Sequence, residues 1–266
     1  MMIFSATALK NEHVLITGAT GGIGYETAKV IAAMGALVTI TGRNEDKLEC
    51  LRKELEEVTE PGNIYVHATD ITSEQARYRL VEDATNKLGF ISGFVNSAGV
   101  AGNKKVADME EEFLNKLMEL NYNAAVMLSK HVYNKMIEKQ RGAIVNVSSL
   151  SGLRGTFANT SYAASKFALI GFTQSFAVEA IEQGVRVNAV CPGFVNTEMG
   201  QQAIERKANR NNRTYDEQME IVKAGLPSSR ITEPIEVANT IAYLLTDAAE
   251  NVVGESVKIS GGSVMR

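Results

Sequence analysis

The sequence predicts an α/β domain of the doubly wound type, a seven-stranded parallel sheet with helices on both faces. Three observations carry that expectation. Short apolar, β-branched runs alternate with longer amphipathic runs along the whole 266-residue chain. No low-complexity tract, repeat or Pro/Ser-rich linker interrupts the alternation, and the chain has only four prolines. A composition of 45% hydrophobic and 22% charged residues suffices for one sizeable core, so residues 1–266 are expected to form a single domain.

The elements follow in order. HVLIT (13–17) reads as the first strand, followed by an amphipathic run over 25–34. ALVTIT (36–41) is the second strand, followed by a helical run over 45–58, and NIYVHAT (63–69) the third, followed by 73–88. FISGFVN (90–96) then leads into a long helical stretch over 109–138. GAIVNVS (142–148), a helix over 161–183 and VRVNAVC (185–191) come next, and a helix over 234–246 precedes the last strand, ESVKIS (255–260). The strand runs are short, continuous and β-branched, as expected for strands buried on both faces. Parallel neighbours need crossover helices, which are right-handed, and ligands bind such sheets at the carboxyl ends of the strands.

Net charge is 27 − 31 = −4, and the sequence pI is about 5.6. Neither creates a field that attracts nucleic acid or an anionic membrane, so the expected partner is a small molecule. Cys50 and Cys191 stand far apart with no CxxC and no histidine cluster, which predicts neither a disulfide framework nor a metal site and fits a reducing cytoplasm. Residues 1–9 are fairly apolar but lack a basic start and a small-residue cleavage site, so no signal peptide is expected. No window reaches 18 uninterrupted apolar residues, so no membrane span is expected either.

Immediately after the first strand stands Thr17-Gly18-Ala19-Thr20-Gly21-Gly22-Ile23-Gly24, opening a helix. Glycine at 18, 22 and 24 permits a tight turn, close approach of backbone to a pyrophosphate, and packing of helix on strand. Amides at the helix N-terminus can then hold phosphate. The second strand ends in Gly42-Arg43-Asn44, where an NAD-preferring site usually carries an acid. Arg43 suits a 2′-phosphate, which favours NADP(H); NAD(H) stays open, because the position of a second basic residue in the glycine loop holds Gly21.

Tyr162 and Lys166 are spaced i, i+4 on one face of the predicted 161–183 helix. A nearby ammonium favours the phenolate and draws a phenol toward the operating range of an acid/base catalyst. Ser149 follows the fifth strand, facing the ligand crevice. Its surroundings form no G-x-S-x-G elbow, and His13, His67 and His131 lie in no catalytic motif, so hydrolase and zinc-enzyme readings have no residues to stand on.

From about residue 11 to 262 the sequence resembles the short-chain dehydrogenase/reductase family, whose fold is a Rossmann-type dinucleotide-binding domain. The matching pieces stand in family order: the glycine loop, Asp70, Asn96-Ser97-Ala98-Gly99, Asn121, Ser149, Tyr162-x-x-x-Lys166, and Pro192-Gly193 with Thr197. The resemblance implies that Tyr162 is the general acid/base, that Ser149 binds the substrate oxygen, and that Lys166 holds the nicotinamide ribose and lowers the Tyr162 pKa. It further implies that Asn121 holds a water in a proton relay. The implied cofactor set is Gly18, Thr20, Gly22, Ile23, Gly24, Arg43, Asp70, Ile71, Asn96, Ala98, Gly99, Tyr162, Lys166, Pro192, Gly193, Val195 and Thr197. Asp70 and Ile71 would border the adenine, and Val195 and Thr197 would meet the carboxamide.

Within the family the chain is similar to β-ketoacyl-carrier-protein reductases and to hydroxybutyrate and sugar-alcohol dehydrogenases, with no subgroup matching throughout. The implied reaction is hydride transfer between NADP(H) and a ketone or secondary alcohol. An NAD-dependent dehydrogenase of a hydroxy acid or sugar alcohol is one alternative, and a non-catalytic dinucleotide-binding sensor the other. Residues 197–226 read as a helical lid over the substrate, with Arg206, Arg210 and Arg213 on one helical face. That face reads as solvated and balanced by Glu198, Glu205, Asp216, Glu217 and Glu220, with an anionic substrate as the other reading. Family similarity also implies a homotetramer built on the 109–138 and 161–183 helices, whose apolar positions include Leu117, Leu120, Val126, Met127, Phe167, Phe172 and Phe176.

Overall fold

The computed structural model describes residues 4–265. Strand β1 (His13–Thr17) leads through the glycine loop into α1 (Gly22–Ala33), followed by β2 (Leu37–Gly42), α2 (Glu45–Leu55), β3 (Ile64–Ala68) and α3 (Glu74–Leu88). The second half runs β4 (Ile91–Asn96), α4 (Glu111–Met118), α5 (Ala124–Ile137), β5 (Gly142–Val147), α6 (Thr160–Ile181) and β6 (Val185–Pro192). Two short helices, α7 (Glu198–Arg210) and α8 (Tyr215–Ala224), precede α9 (Pro234–Leu245) and β7 (Ser256–Ile259).

The seven strands form one parallel sheet in the order β3-β2-β1-β4-β5-β6-β7, the doubly wound arrangement expected from the alternation. Strand order reverses between β1 and β4, which opens a crevice beyond their carboxyl ends. Burial explains the composition of the strands. Every residue of β1, β4 and β6 is buried, polar ones such as His13, Asn96 and Arg186 included, while the edge strands β3 and β7 are mostly half-buried. One core cluster packs α1, α2 and α9 on one face, through residues such as Ile31, Leu48 and Ile241. The other packs α3, α5 and α6 on the opposite face, through Leu80, Leu128 and Phe176.

Helix boundaries follow local chemistry. Asn44 and Ser73 cap α2 and α3 by accepting from Lys47 N and Ala76 N, and Thr214 with Glu217 forms a reciprocal box at α8. Helix α1 differs: Gly21 at its N-cap offers no side chain, and its first turn carries no acid.

Two sequence expectations change. The helix expected over 109–138 is broken by a π turn, Glu119–Asn123, between α4 and α5. Apolar periodicity continues through the break, so hydropathy alone gives no sign of it. The stretch 197–226 is helical as expected but forms two helices, with Arg213 beyond the end of α7, so the three arginines do not share one helical face. Ile204 of α7, Val222 of α8 and Ile231 make a small core of their own, with Phe194, Tyr215, Met219 and Leu226 packed around it.

Candidate active site

At the end of β1 the chain turns through Gly18 at φ +64°, a left-handed conformation that a side chain would strain. A Cβ there would also stand 2.8 Å from the backbone of Ala98, and one on Gly24 would stand 2.3 Å from the Gly18 carbonyl oxygen. These two glycines close the loop on itself and on the segment after β4. Gly22 is different, because a Cβ there would meet the Thr197 methyl at 2.5 Å across an exposed cradle at the start of α1. Uncapped amides, absence of acid and a space that any side chain would fill together fit a pyrophosphate. Ile23 is half-buried against the core beneath.

The floor of the crevice is a buried polar ladder that sequence reasoning did not find. The Thr17 hydroxyl accepts from Ser97 N at 3.1 Å and Ala98 N at 3.2 Å, tying the post-β4 segment to the glycine loop. Asn96 donates to Asn146 Oδ1 (3.3 Å), Asn146 donates to the Thr173 hydroxyl (2.9 Å), and that hydroxyl donates to Leu169 O (2.7 Å). Asn96 was expected to bind cofactor, but its buried side chain is spent across the sheet. The signal for Asn146 is its position within the apolar run Ile144-Val145-Asn146-Val147, where an amide needs a partner.

At the far end of the crevice Arg43 is exposed and pairs with no acid among the described residues. Gly42 lies against Thr20, whose hydroxyl would be 3.2 Å from a Cβ at that position. Asp70 accepts from the Thr72 amide at 3.0 Å and the Thr72 hydroxyl at 2.8 Å; these bonds hold its carboxyl below the usual range, with a smaller contribution from the Arg43 charge. Ile71 is buried, and its carbonyl accepts from Arg77 at 2.7 Å. Arg43, Thr20 and Asp70 are therefore brought to one end of the crevice from three different connections.

The other end collects Asn121, Ser149, Tyr162 and Lys166. Lys166 is buried, donates to Val147 O at 2.9 Å, and lies 5.7 Å from the centre of the Tyr162 ring. Burial pushes its ammonium down to about 8. Burial also pushes the Tyr162 phenol up, with the Ser149 hydroxyl pulling the other way. Desolvation is the larger of these two influences on the Tyr162 phenol. Ser149 Oγ accepts from Ser151 N at 3.1 Å. Gly99 leaves the space between these groups: a Cβ there would be 3.2 Å from Asn121 Oδ1 and 3.6 Å from Lys166 Nζ.

Asn121 sits in the π turn and is 1% exposed. Its amide accepts from Val100 N and donates to Val100 O, both at 2.9 Å, and also reaches the Ser165 hydroxyl at 3.2 Å. This side chain clamps the segment that follows β4, so a role in holding water would fall to its backbone. Beyond β6, Pro192 ends the strand and Gly193 N donates to Ile259 O at 2.9 Å. Val195 forms a bridge with Thr232, and Thr197 caps α7 by accepting from Gly200 N at 3.2 Å. Cys191 is buried beside Ser148 and Lys166, and burial raises its thiol to about 11, so it is a neutral packing group.

Comparison with known proteins shows the family. The profile described as short chain dehydrogenase matches residues 12–208. The chain belongs to that family. A 3-oxoacyl-(acyl-carrier-protein) reductase, FabG, of Thermotoga maritima is 33% identical to this short-chain dehydrogenase over 257 residues, covering 97% of this chain and 99% of the relative. Among solved structures, an actinorhodin polyketide ketoreductase with NADPH matches at TM-score 0.91 and 32% identity, covering 97% of this chain and 98% of that one. An NAD+-bound xylitol dehydrogenase matches at TM-score 0.91 and 27% identity, covering 96% and 99%. The protein is accordingly an NAD(P)-dependent oxidoreductase acting on CH–OH or keto groups.

Proposed function

We propose that this short-chain dehydrogenase uses NADP(H) to interconvert a ketone and its secondary alcohol, with Tyr162 as proton donor and acceptor. The observation that carries the reading is convergence. Asn121, Ser149, Tyr162 and Lys166 come from the π turn, the end of β5 and the helix α6, and meet beside the glycine loop. The bound nicotinamide supplies or takes up the hydride. Ser149 and Tyr162 present hydroxyls to the substrate oxygen, where negative charge grows during reduction. Tyr162, held protonated through neutrality by burial, donates its proton to that oxygen. Lys166 would hold the ribose of a bound cofactor and help return a proton to Tyr162.

Gly18, Gly22, Ile23 and Gly24 would hold the pyrophosphate with the amides of α1. Thr20, Arg43, Asp70 and Ile71 would surround the adenosine, with Arg43 on its 2′-phosphate. Ala98, Gly99, Pro192, Gly193, Val195 and Thr197 would line the nicotinamide, and Asn96 would act through its backbone. Residues 197–226 would close over the substrate. We place the protein in the cytoplasm, consistent with free thiols at Cys50 and Cys191.

The proposed assembly is a homotetramer. Phe167, Gly171, Gln174, Val178 and Ile181 line one exposed face of α6 at alternating spacings of four and three residues. Leu117 and Phe176, expected to contribute to such an interface, are instead buried in the chain's own fold.

The test is turnover of a ketone panel with NADPH and NADH, read as loss of nicotinamide absorbance. Wild type is expected to favour NADPH at least tenfold in kcat/KM, with Arg43→Ala erasing the preference. Tyr162→Phe is expected to lose at least about a thousandfold in kcat while still binding NADPH. Near wild-type turnover by that variant would overturn the proposal.

A further inference from the structure

The cations around the substrate segment do not neutralise the acids beside them. Among the described residues, Lys105, Arg206, Lys207 and Arg210 form no ion pair. Several nearby acids are engaged elsewhere, Glu198 with Lys47, Glu220 with Lys223, Glu110 with Lys104, and Glu217 in the box with Thr214, while Glu205 and Asp216 form no ion pair among the described residues. Arg210 is exposed and Arg206 and Lys207 are half-buried, so these cations meet solvent without a direct ion pair.

Two of these cations meet on one ring. The Arg210 guanidinium lies 4.5 Å from the centre of the Phe157 ring, and Lys105 Nζ lies 6.0 Å from it. Phe157 is 60% exposed, so the ring is not there to fill the core. The next residue, Ala158, has φ +54°, a strained left-handed conformation of the kind that persists where the surroundings enforce it. Lys104 forms a bridge with Asn159, which fixes Lys105 and Phe157 on neighbouring segments.

The cluster borders the proton-transfer site. Asn159 stands immediately before α6, three residues before Tyr162, and a Cβ on Gly102 would be 3.5 Å from Tyr162 Cβ. Helix α7 begins at Thr197, against Gly22, and carries Arg210 at its last turn. A guanidinium laid on an aromatic ring keeps its in-plane N–H edge free, and that edge matches a carboxylate or phosphate. Two like charges on one ring repel each other, and an anion between them reverses the sign of the interaction.

We propose that Lys105, Phe157 and Arg210 form an anion subsite, and that the ketone reduced at Tyr162 carries a carboxylate or phosphate. This rests on the ketone-reductase reading and adds the substrate class to it.

The test measures charge preference. A 3-oxo acid is compared with its methyl ester, and a ketose phosphate with the free ketose, at saturating NADPH. Wild type is expected to prefer the charged member of at least one pair by tenfold or more in kcat/KM, and the pair that shows it distinguishes carboxylate from phosphate. Lys105→Glu/Arg210→Glu is expected to cut that ratio at least tenfold, mainly through KM. Arg213→Glu makes the same kind of charge change beyond the end of α7, beside Gln218, and is expected to leave the ratio standing. Equal use of charged and neutral members by wild type, or a ratio unmoved in the double variant, would overturn the subsite. Absence of turnover with every ketone strikes the reductase reading instead. Calorimetric titration of the NADPH complex with inorganic phosphate then decides the subsite alone, with at least tenfold weaker binding in the double variant supporting it and no binding, or equal binding, overturning it.

Discussion

Tyr162 and Lys166 show how one local spacing acquires two separate consequences from burial. Tyr162 remains a phenol through neutrality, whereas Lys166, with its charge desolvated and only Val147 O as acceptor, loses its proton near pH 8. For ketone reduction the needed states are a protonated Tyr162 and a charged Lys166. Raising the pH therefore removes Lys166 first, so kcat/KM is expected to stay level below about 8 and to fall above it. Arginine keeps its proton far beyond that range, so Lys166→Arg is expected to move the fall upward by at least about one pH unit while lowering the plateau. A pH–rate profile whose fall stays in place in that variant would assign it to another group.

At the scale of the element, the π turn between α4 and α5 is what brings Asn121 into the site. A regular helix cannot add a residue without rotating everything after it, and a π turn absorbs the extra residue locally, which is why such turns recur at functional sites. Here the gain is the double clamp on Val100, which fixes the segment after β4 against the catalytic groups. Asn121→Ala would remove the partner of the part-buried N–H and C=O of Val100. At about 0.5–1.5 kcal/mol for each hydrogen bond, the expected loss in urea unfolding is about 2 kcal/mol, with a fall in kcat as Gly99 and Val100 loosen. A stability change under about 1 kcal/mol would show that water replaces the clamp.

For the whole molecule, the decisive feature is the reversal of strand order between β1 and β4. It gathers the glycine loop, the ladder from Thr17 to Thr173 and the residues after β5 at one end of the sheet. The exposed stripe on α6 takes no part in this gathering: Val178 on it is 69% exposed. Sedimentation is expected to give four times the 28.8 kDa chain mass, and Val178→Glu to give smaller species with unchanged helical content. A wild-type species at 28.8 kDa would refute the tetramer.

Much of this was legible along the chain. Continuous apolar runs such as HVLIT can only be buried strands, and glycines placed after the first of them mark where backbone must approach phosphate. The spacing of Tyr162 and Lys166 lies within one helix, so sequence distance translates directly into space. The sequence thereby determined the class of fold and supplied the candidate side chains of the proposed site. What only the tertiary structure decided are contacts between remote segments: Asn96 with Asn146, Asn121 with Val100, and Lys105 and Arg210 on Phe157. Periodicity specifies which face of each element is buried, but not which groups of distant elements meet there. That depends on the packing of all the layers at once, and so do the pKa values set by burial.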